Sequence, residues 1–190
     1  MNFDFSEEQR AIADMATSVF ADYCNDDQVR AFWDSGKDYD AGLWQQLAET
    51  GLLGLTVPEA EGGSGLGMIE LMLALEQQGR YVASAPLWRQ ALAATALAQF
   101  APANLKSAWL EKLVSGAALA TLSLDGLSAS RGLALSAKAA GNGWQLDGRA
   151  VAVPLATSSA KAHKMRCGRQ SIPKDISLFK FRAQAKRPPF

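Results

Sequence analysis

Apolar positions in the front half of the chain recur at spacings of three and four, the period of helices packed on one side. Ile12, Met15, Ala16, Val19, Phe20 and Tyr23 trace one such face. Ser6 opens this helix: its hydroxyl can accept from a free backbone N–H, and Gln9 three residues on completes a capping-box pattern. Glu7 and Glu8 suit the positive end of the helix dipole. The helix is expected to fade near "CNDDQ", residues 24–28. A second helix is predicted from Asp40 to Thr50, capped by Asp40, faced by Leu43, Trp44 and Leu47, and followed by Gly51 in the left-handed position past its end. A third, Met68 to Gln78, carries Ile69, Leu71, Met72, Leu73 and Leu75. Being apolar nearly all round, it is expected to be buried on most sides and to end at Gly79. A fourth covers Leu87 to Phe100 and stops before Pro102. A fifth runs from Leu105 to Val114 with Trp109, Leu110 and Leu113 on one side.

After Gly116 the period changes. "AALATLSL", residues 117–124, reads as a buried strand. Asn142-Gly143 between two alternating runs is the strongest short-range hairpin signal, and Asp147-Gly148 suggests a second tight turn. The expected fold class is therefore α+β: an N-terminal all-α helical bundle over 1–115, followed by a partial antiparallel β domain over 116–160. The β segment is too short to close its own edges. Residues 161–190 show no clear period and read as a basic tail.

Composition sharpens this division. The chain has 190 residues, is 48% hydrophobic and has a formal net charge of zero. Those charges are not spread evenly. Residues 1–160 hold 18 acidic and 10 basic side chains, whereas 161–190 hold 1 acidic and 9 basic. So abrupt a switch, with the loss of period, is what a truncated or shifted reading frame yields. The two cysteines, Cys24 and Cys167, lie far apart and form no metal-binding spacing, so both are read as free thiols in a reducing cytoplasm. The opening "MNFDFSEEQR" lacks the basic end and apolar core of a signal peptide, and no apolar run reaches the roughly 18 residues of a membrane span.

Few residues offer chemistry. "VPEAEGGSGLG", residues 57–67, places a glycine loop between an apolar run and a helix. A dinucleotide loop needs Gly-x-Gly-x-x-Gly, so that backbone N–H groups face a pyrophosphate. Here the spacing from Gly63 is Gly-x-Gly-x-Gly. Glu59 and Glu61 would repel a phosphate, and no Gly-Lys-Ser/Thr follows. The loop is read as a tight connector. His163 stands alone in the tail and makes no dyad by spacing. The serines of "SLDGLSAS" lack a nucleophile elbow. Paired carboxylates such as Glu7/Glu8 and Asp26/Asp27 fall at helix ends and turns, as solvated charge. Basic and aromatic residues mix in "LFKFR", but no nucleic-acid-binding framework precedes them. No metal site and no catalytic residue is assigned.

The order of the pieces is distinctive. "FDFSEEQRAIADMATSVFADYC", then "LWQQLAETGLLGLTVPEAEGGSGLGMIELMLALEQQGR", "WLEKLVSGAALATLSL" and "GNGWQLDGRAVAVP" together resemble the acyl-CoA dehydrogenase family over residues 1–155. The Val-Pro-Glu-x-x-Gly-Gly-x-Gly connector in its flanks is the most specific element. The resemblance implies a helical domain, a central β domain and a C-terminal helical domain. It also implies FAD as cofactor, an acyl-CoA thioester as substrate, an electron-transfer flavoprotein as partner, and a homo- or hetero-oligomer. By the resemblance, Ser123 occupies the flavin-contacting hydroxyl position, Ser128 or Ser130 stands near the substrate, and Ala152 and Val153 lie on the second flavin strand. There the family's Trp-x-Thr is replaced by Ala152-Val153-Pro154, and Leu124-Asp125-Gly126 stands where Glu-Pro-Gly is usual. Nothing in 161–190 resembles the C-terminal domain that supplies the family's catalytic glutamate. The chain is thus expected to be a truncated relative with weak or no activity alone, or else a non-catalytic partner subunit of a complete dehydrogenase.

Overall fold

The computed structural model describes residues 4–122, 135–140, 143–148, 155 and 170–173. They divide into two units, Met1–Leu119 and Ala120–Phe190. The first is helical: α1 (Glu7–Tyr23), α2 (Asp26–Ser35), α3 (Ala41–Glu49), α4 (Met68–Arg80), α5 (Leu87–Phe100) and α6 (Ala103–Val114), with two 3-10 turns, Leu52–Gly54 and Glu59–Glu61, between α3 and α4.

Local chemistry sets most of these ends. The Ser6 hydroxyl accepts from the Gln9 N–H at 3.1 Å, and the Gln9 amide oxygen accepts from the Ser6 N–H at 3.1 Å, so the expected capping box opens α1. Asp40 caps α3 by accepting from the N–H groups of Gly42 and Leu43. Gly51 follows α3 with φ 77°, a conformation that costs glycine little and L side chains much. Pro102 takes the N-cap of α6, where its missing N–H costs nothing. Phe20, Leu43, Leu47, Leu52, Leu87 and Leu110 are sealed from solvent and form the centre of the core. At roughly 1.5–3 kcal/mol for each such side chain buried, this cluster is the main force holding the helices together.

Several expectations fail for physical reasons. Where the first helix was expected to fade, a new one begins. Asn25 caps α2 by accepting from the Gln28 N–H at 2.9 Å, and Gln28 returns the bond to the Asn25 N–H at 3.0 Å. Gly36, with φ 63°, ends it. Gly79 does not end α4, which continues through Arg80. Nor is α4 buried on most sides: Met68, Ile69 and Met72 are 54–58% exposed, while Leu71, Leu73 and Ala74 face the core. Residues 117–122 form no strand. The Ala118 N–H and C=O are spent on Lys112 and Gln90, leaving neither for a ladder. Residues 123–124 of that expected strand lie outside the described residues.

In the second unit, β1 (Leu135–Ala140), β2 (Gly143–Gly148) and β3 (Gln170–Pro173) are described as an antiparallel sheet in the order β1-β2-β3. Ala140 pairs with Gly143, so a hairpin forms where expected, but residues 141–142 lie between the strands and Gly143 stands in the ladder, one residue off the Asn142-Gly143 turn. Asp147 and Gly148 lie in the ladder opposite Ser136 and Leu135, and so do not form the second tight turn. β3 falls inside the stretch read as an aperiodic tail.

Candidate functional site

The glycine connector spends its own amides. The N–H groups of Gly62 and Gly63 donate to the carbonyls of Glu59 and Pro58. Those of Ser64, Gly65 and Leu66 donate to Gly54, Val57 and Leu55 at 3.0, 2.8 and 2.8 Å. The Gly67 N–H donates to a carboxylate oxygen of Glu70 at 2.9 Å. From 62 to 67 no backbone donor is left for a phosphate, whereas a phosphate cradle needs several converging N–H groups. The connector therefore does not fit the pyrophosphate of FAD. Its glycines serve packing: a Cβ on Gly63 would overlap the Val57 carbonyl oxygen, and one on Gly54 would stand 2.8 Å from a Val114 methyl.

The start of α4 is closed in the same way. Glu70 reaches back over the first turn and also accepts from the Gln9 side-chain amide at 2.9 Å, tying α1 to α4. The Gln9 bond, then those from backbone N–H groups, hold the Glu70 carboxyl below its usual range.

Where the chain leaves the helices it is gripped twice. The Trp44 indole N–H donates to the Gly116 carbonyl at 3.1 Å. Gln90, fully buried on α5, donates from its amide nitrogen to the carbonyls of Leu113 (2.8 Å) and Ala118 (3.1 Å). Gly116 has φ 71°, and a Cβ there would press on Ala48 at 3.0 Å and on the Trp44 nitrogen at 3.2 Å. Sequence reading placed Trp44 on a core face and overlooked Gln90. A lone glutamine in an alanine-rich helix was the available signal, since a polar side chain among core positions must find partners.

Ser123, Ser128, Ser130, Ala152 and Val153 lie outside the described residues, as do Cys167 and His163. Cys24 is a free thiol, half-buried, and burial followed by the charge of Asp40 pushes its pKa up to about 11. Among the described residues no cluster of histidine, cysteine or carboxylates could hold a metal, and no helix is long and apolar enough to cross a membrane.

A helical unit whose saturated Val-Pro-Glu-Ala-Glu-Gly-Gly-Ser-Gly connector feeds α4, and whose exit is pinned beyond α6, defines a domain class with known relatives. The acyl-CoA dehydrogenase N-terminal domain matches residues 6–117, and the chain belongs to the acyl-CoA dehydrogenase family. It is 30% identical to acyl-CoA dehydrogenase FadE27 of Mycobacterium tuberculosis over 78% of this chain and 39% of that protein. It is 27% identical to FadE12 of the same species over 95% of this chain and 50% of that one. Among solved structures it is similar to the ChsE4-ChsE5 complex from Mycobacterium tuberculosis, with a TM-score of 0.76 and 26% identity over 84% of this chain and 43% of that one. The chain thus spans half or less of the length of these relatives.

Proposed function

We propose that this chain supplies the helical front and the opening β segment of an FAD-dependent acyl-CoA dehydrogenase, which removes two hydrogens from the α and β carbons of an acyl-CoA thioester. The match across residues 6–117 carries this reading. FAD, when bound, supplies the acceptor for the β hydride. The chain's own part is binding and orientation. Ser123 and the backbone at Ala152 and Val153 would meet the flavin, and Ser128 or Ser130 the thioester. Trp44 and Gln90 fix the point from which the chain runs on towards those residues. No residue here is assigned as the α-proton base, and losing such a base removes a contribution of roughly 10²–10⁴-fold. Turnover by this chain alone is therefore expected to be weak or absent. Electrons would pass to an electron-transfer flavoprotein. The half-buried free thiol of Cys24 suits a reducing cytoplasm.

Purifying the chain with added FAD and desalting it tests the flavin reading. Retained flavin absorbance supports it, and a colourless protein removes it. Two observations weigh against a shifted frame after residue 160: the FadE12 match takes in 95% of the chain and so reaches into 161–190, and Gln170–Pro173 pairs with β2. Translating the gene's other frames past that point settles the matter, since a longer dehydrogenase-like continuation in another frame would restore the shift.

A second reading is a non-catalytic subunit that docks on a complete dehydrogenase. It is favoured by the exposed Met68, Ile69 and Met72 on α4 and by the likeness to a ChsE4-ChsE5 complex. Co-expression with full-length dehydrogenases from the same genome should then give a stable complex, and elution as a free monomer beside each of them would rule it out.

A further inference from the structure

Alone among the six helices of the described residues, α2 has no buried residue. Val29 and Phe32 are its half-buried apolar side chains, resting over a void of about 10 Å³ lined by Tyr23, Cys24, Leu43 and Val82. That void has room for about one water at most. Glycine hinges one end of the helix, at Gly36, and two residues, Cys24 and the capping Asn25, separate the other from α1. A helix so attached opens at low cost, because opening exposes little apolar surface.

Beside this seam lies an open cleft of about 320 Å³, lined by Cys24, Asp26, Val29, Arg30, Arg80, Tyr81 and Val82. Its two walls differ. One is α2, with Arg30. The other is the end of α4 and the turn after it, which is tightly held. Val82 sits at φ 51°, a left-handed conformation strained for a β-branched residue. Gln78 keeps the turn in place by donating to the carbonyls of Ala83 (3.1 Å) and Ala85 (2.6 Å). Strain persists only where the surroundings over-determine it, and here it fixes one wall of the cleft.

Two arginines and one carboxylate residue, Asp26, one turn before Arg30 on the same helix, line the cleft. Neither Arg30 nor Arg80 makes an ion pair or side-chain hydrogen bond among the described residues. Arg80 is partly accounted for by the carbonyl end of α4, which favours a cation. Arg30, mid-helix on α2, has no such account. Guanidinium forks match tetrahedral oxyanions in shape and charge.

We propose that this cleft binds a phosphate-type oxyanion that bridges Arg30 on α2 and Arg80 on α4 and so clamps α2 onto the helical unit. The site is independent of the flavin reading above and shares no residue with it.

The test uses the full chain as a Cys167→Ser variant, so that Cys24 is the reporting thiol. Its labelling rate by a soluble disulfide is measured at fixed pH, with hydrogen exchange of residues 26–35 read in parallel. Inorganic pyrophosphate and adenosine diphosphate are compared with sodium chloride at equal ionic strength. A ligand that binds only the closed form at ten times its dissociation constant slows labelling roughly tenfold. Protection by pyrophosphate supports a free oxyanion as ligand, and protection by the nucleotide alone supports one carried on a nucleoside. Arg30→Gln and Arg80→Gln, both at exposed positions, should each abolish protection while leaving the circular dichroism spectrum unchanged. Absence of protection by either ligand, equal protection by chloride, or full protection in either arginine variant overturns the proposal.

Discussion

Helices α2 and α5 lie in the same unit and are built on opposite principles. α5 buries Leu87, Ala91, Ala94 and Leu97, and sends Gln90 through the core to two carbonyls on and after α6. α2 buries nothing and owes its existence to a reciprocal cap between Asn25 and Gln28. Trp33, on its outer side, is 68% exposed. A helix can thus be specified by tertiary burial or by its own ends. The first kind opens only with the fold, and the second opens by itself.

The sharpest way to break the comparison is on the packed side. Gly63→Ala drives a Cβ into the Val57 carbonyl oxygen and should cost more than about 3 kcal/mol, read as a fall in the urea midpoint. Little change there would mean the connector has slack. Next comes Gln90→Ala, which strands the Ala118 carbonyl, leaves the Leu113 carbonyl with its 3.4 Å bond from the Gly116 N–H, and opens a cavity. A loss of about 3 kcal/mol in thermal or urea unfolding is expected. Trp44→Phe removes the bond to Gly116 and part of a buried ring, and should cost about 2 kcal/mol by the same measurement.

On the loose side the effects are smaller and local. Asn25→Ala should weaken α2 by about 1 kcal/mol, visible as faster hydrogen exchange in residues 26–35, while the global midpoint moves by less than about 0.5 kcal/mol. An equal shift in both would show that α2 belongs to the main cooperative unit.

The Cys24 thiol gives a pH signature at the seam. Its pKa rises from 9.0 to about 11 on folding, so between those values the unfolded thiol ionises while the folded one stays neutral. Its contribution is whole below the unfolded value and is lost as pH rises through the folded one. Unfolding curves from pH 8 to 11 should show Cys24→Ala losing less stability across that window than the parent chain. Identical slopes would place the cause elsewhere.

Much of the helical unit was legible in the sequence, for an identifiable reason. Where burial drives the helix, as with Val19 and Phe20 or Leu43 and Leu47, the apolar residues must recur on one face, and the eye finds them. α2 has only Val29 and Phe32 to half-bury, so it left no period, and the Asn25/Gln28 pair was read as the end of α1. The rejection of a phosphate loop was legible from glycine spacing and from Glu59 and Glu61. What satisfies the loop was not, because its acceptors are carbonyls of Gly54, Leu55 and Val57, set by a 3-10 turn that no side-chain pattern announces. On α4, hydrophobicity could not tell core from outer face, since Met72 and Leu73 look alike in the sequence and only packing separates them. The flavin and thioester positions at Ser123, Ser128, Ser130, Ala152 and Val153 rest on resemblance, because no capping or packing rule points to them.

The grip on Gly116 and Ala118 also decides where the helical unit can be severed. A protease that cuts just before residue 116 removes the acceptor of Trp44 and one of the two carbonyls that Gln90 holds, keeping only Leu113 for the amide. Cleavage past Leu119 spares both. A surviving fragment from limited digestion should therefore carry a short stub beyond α6, and its mass would report how far the helices reach into the chain that follows.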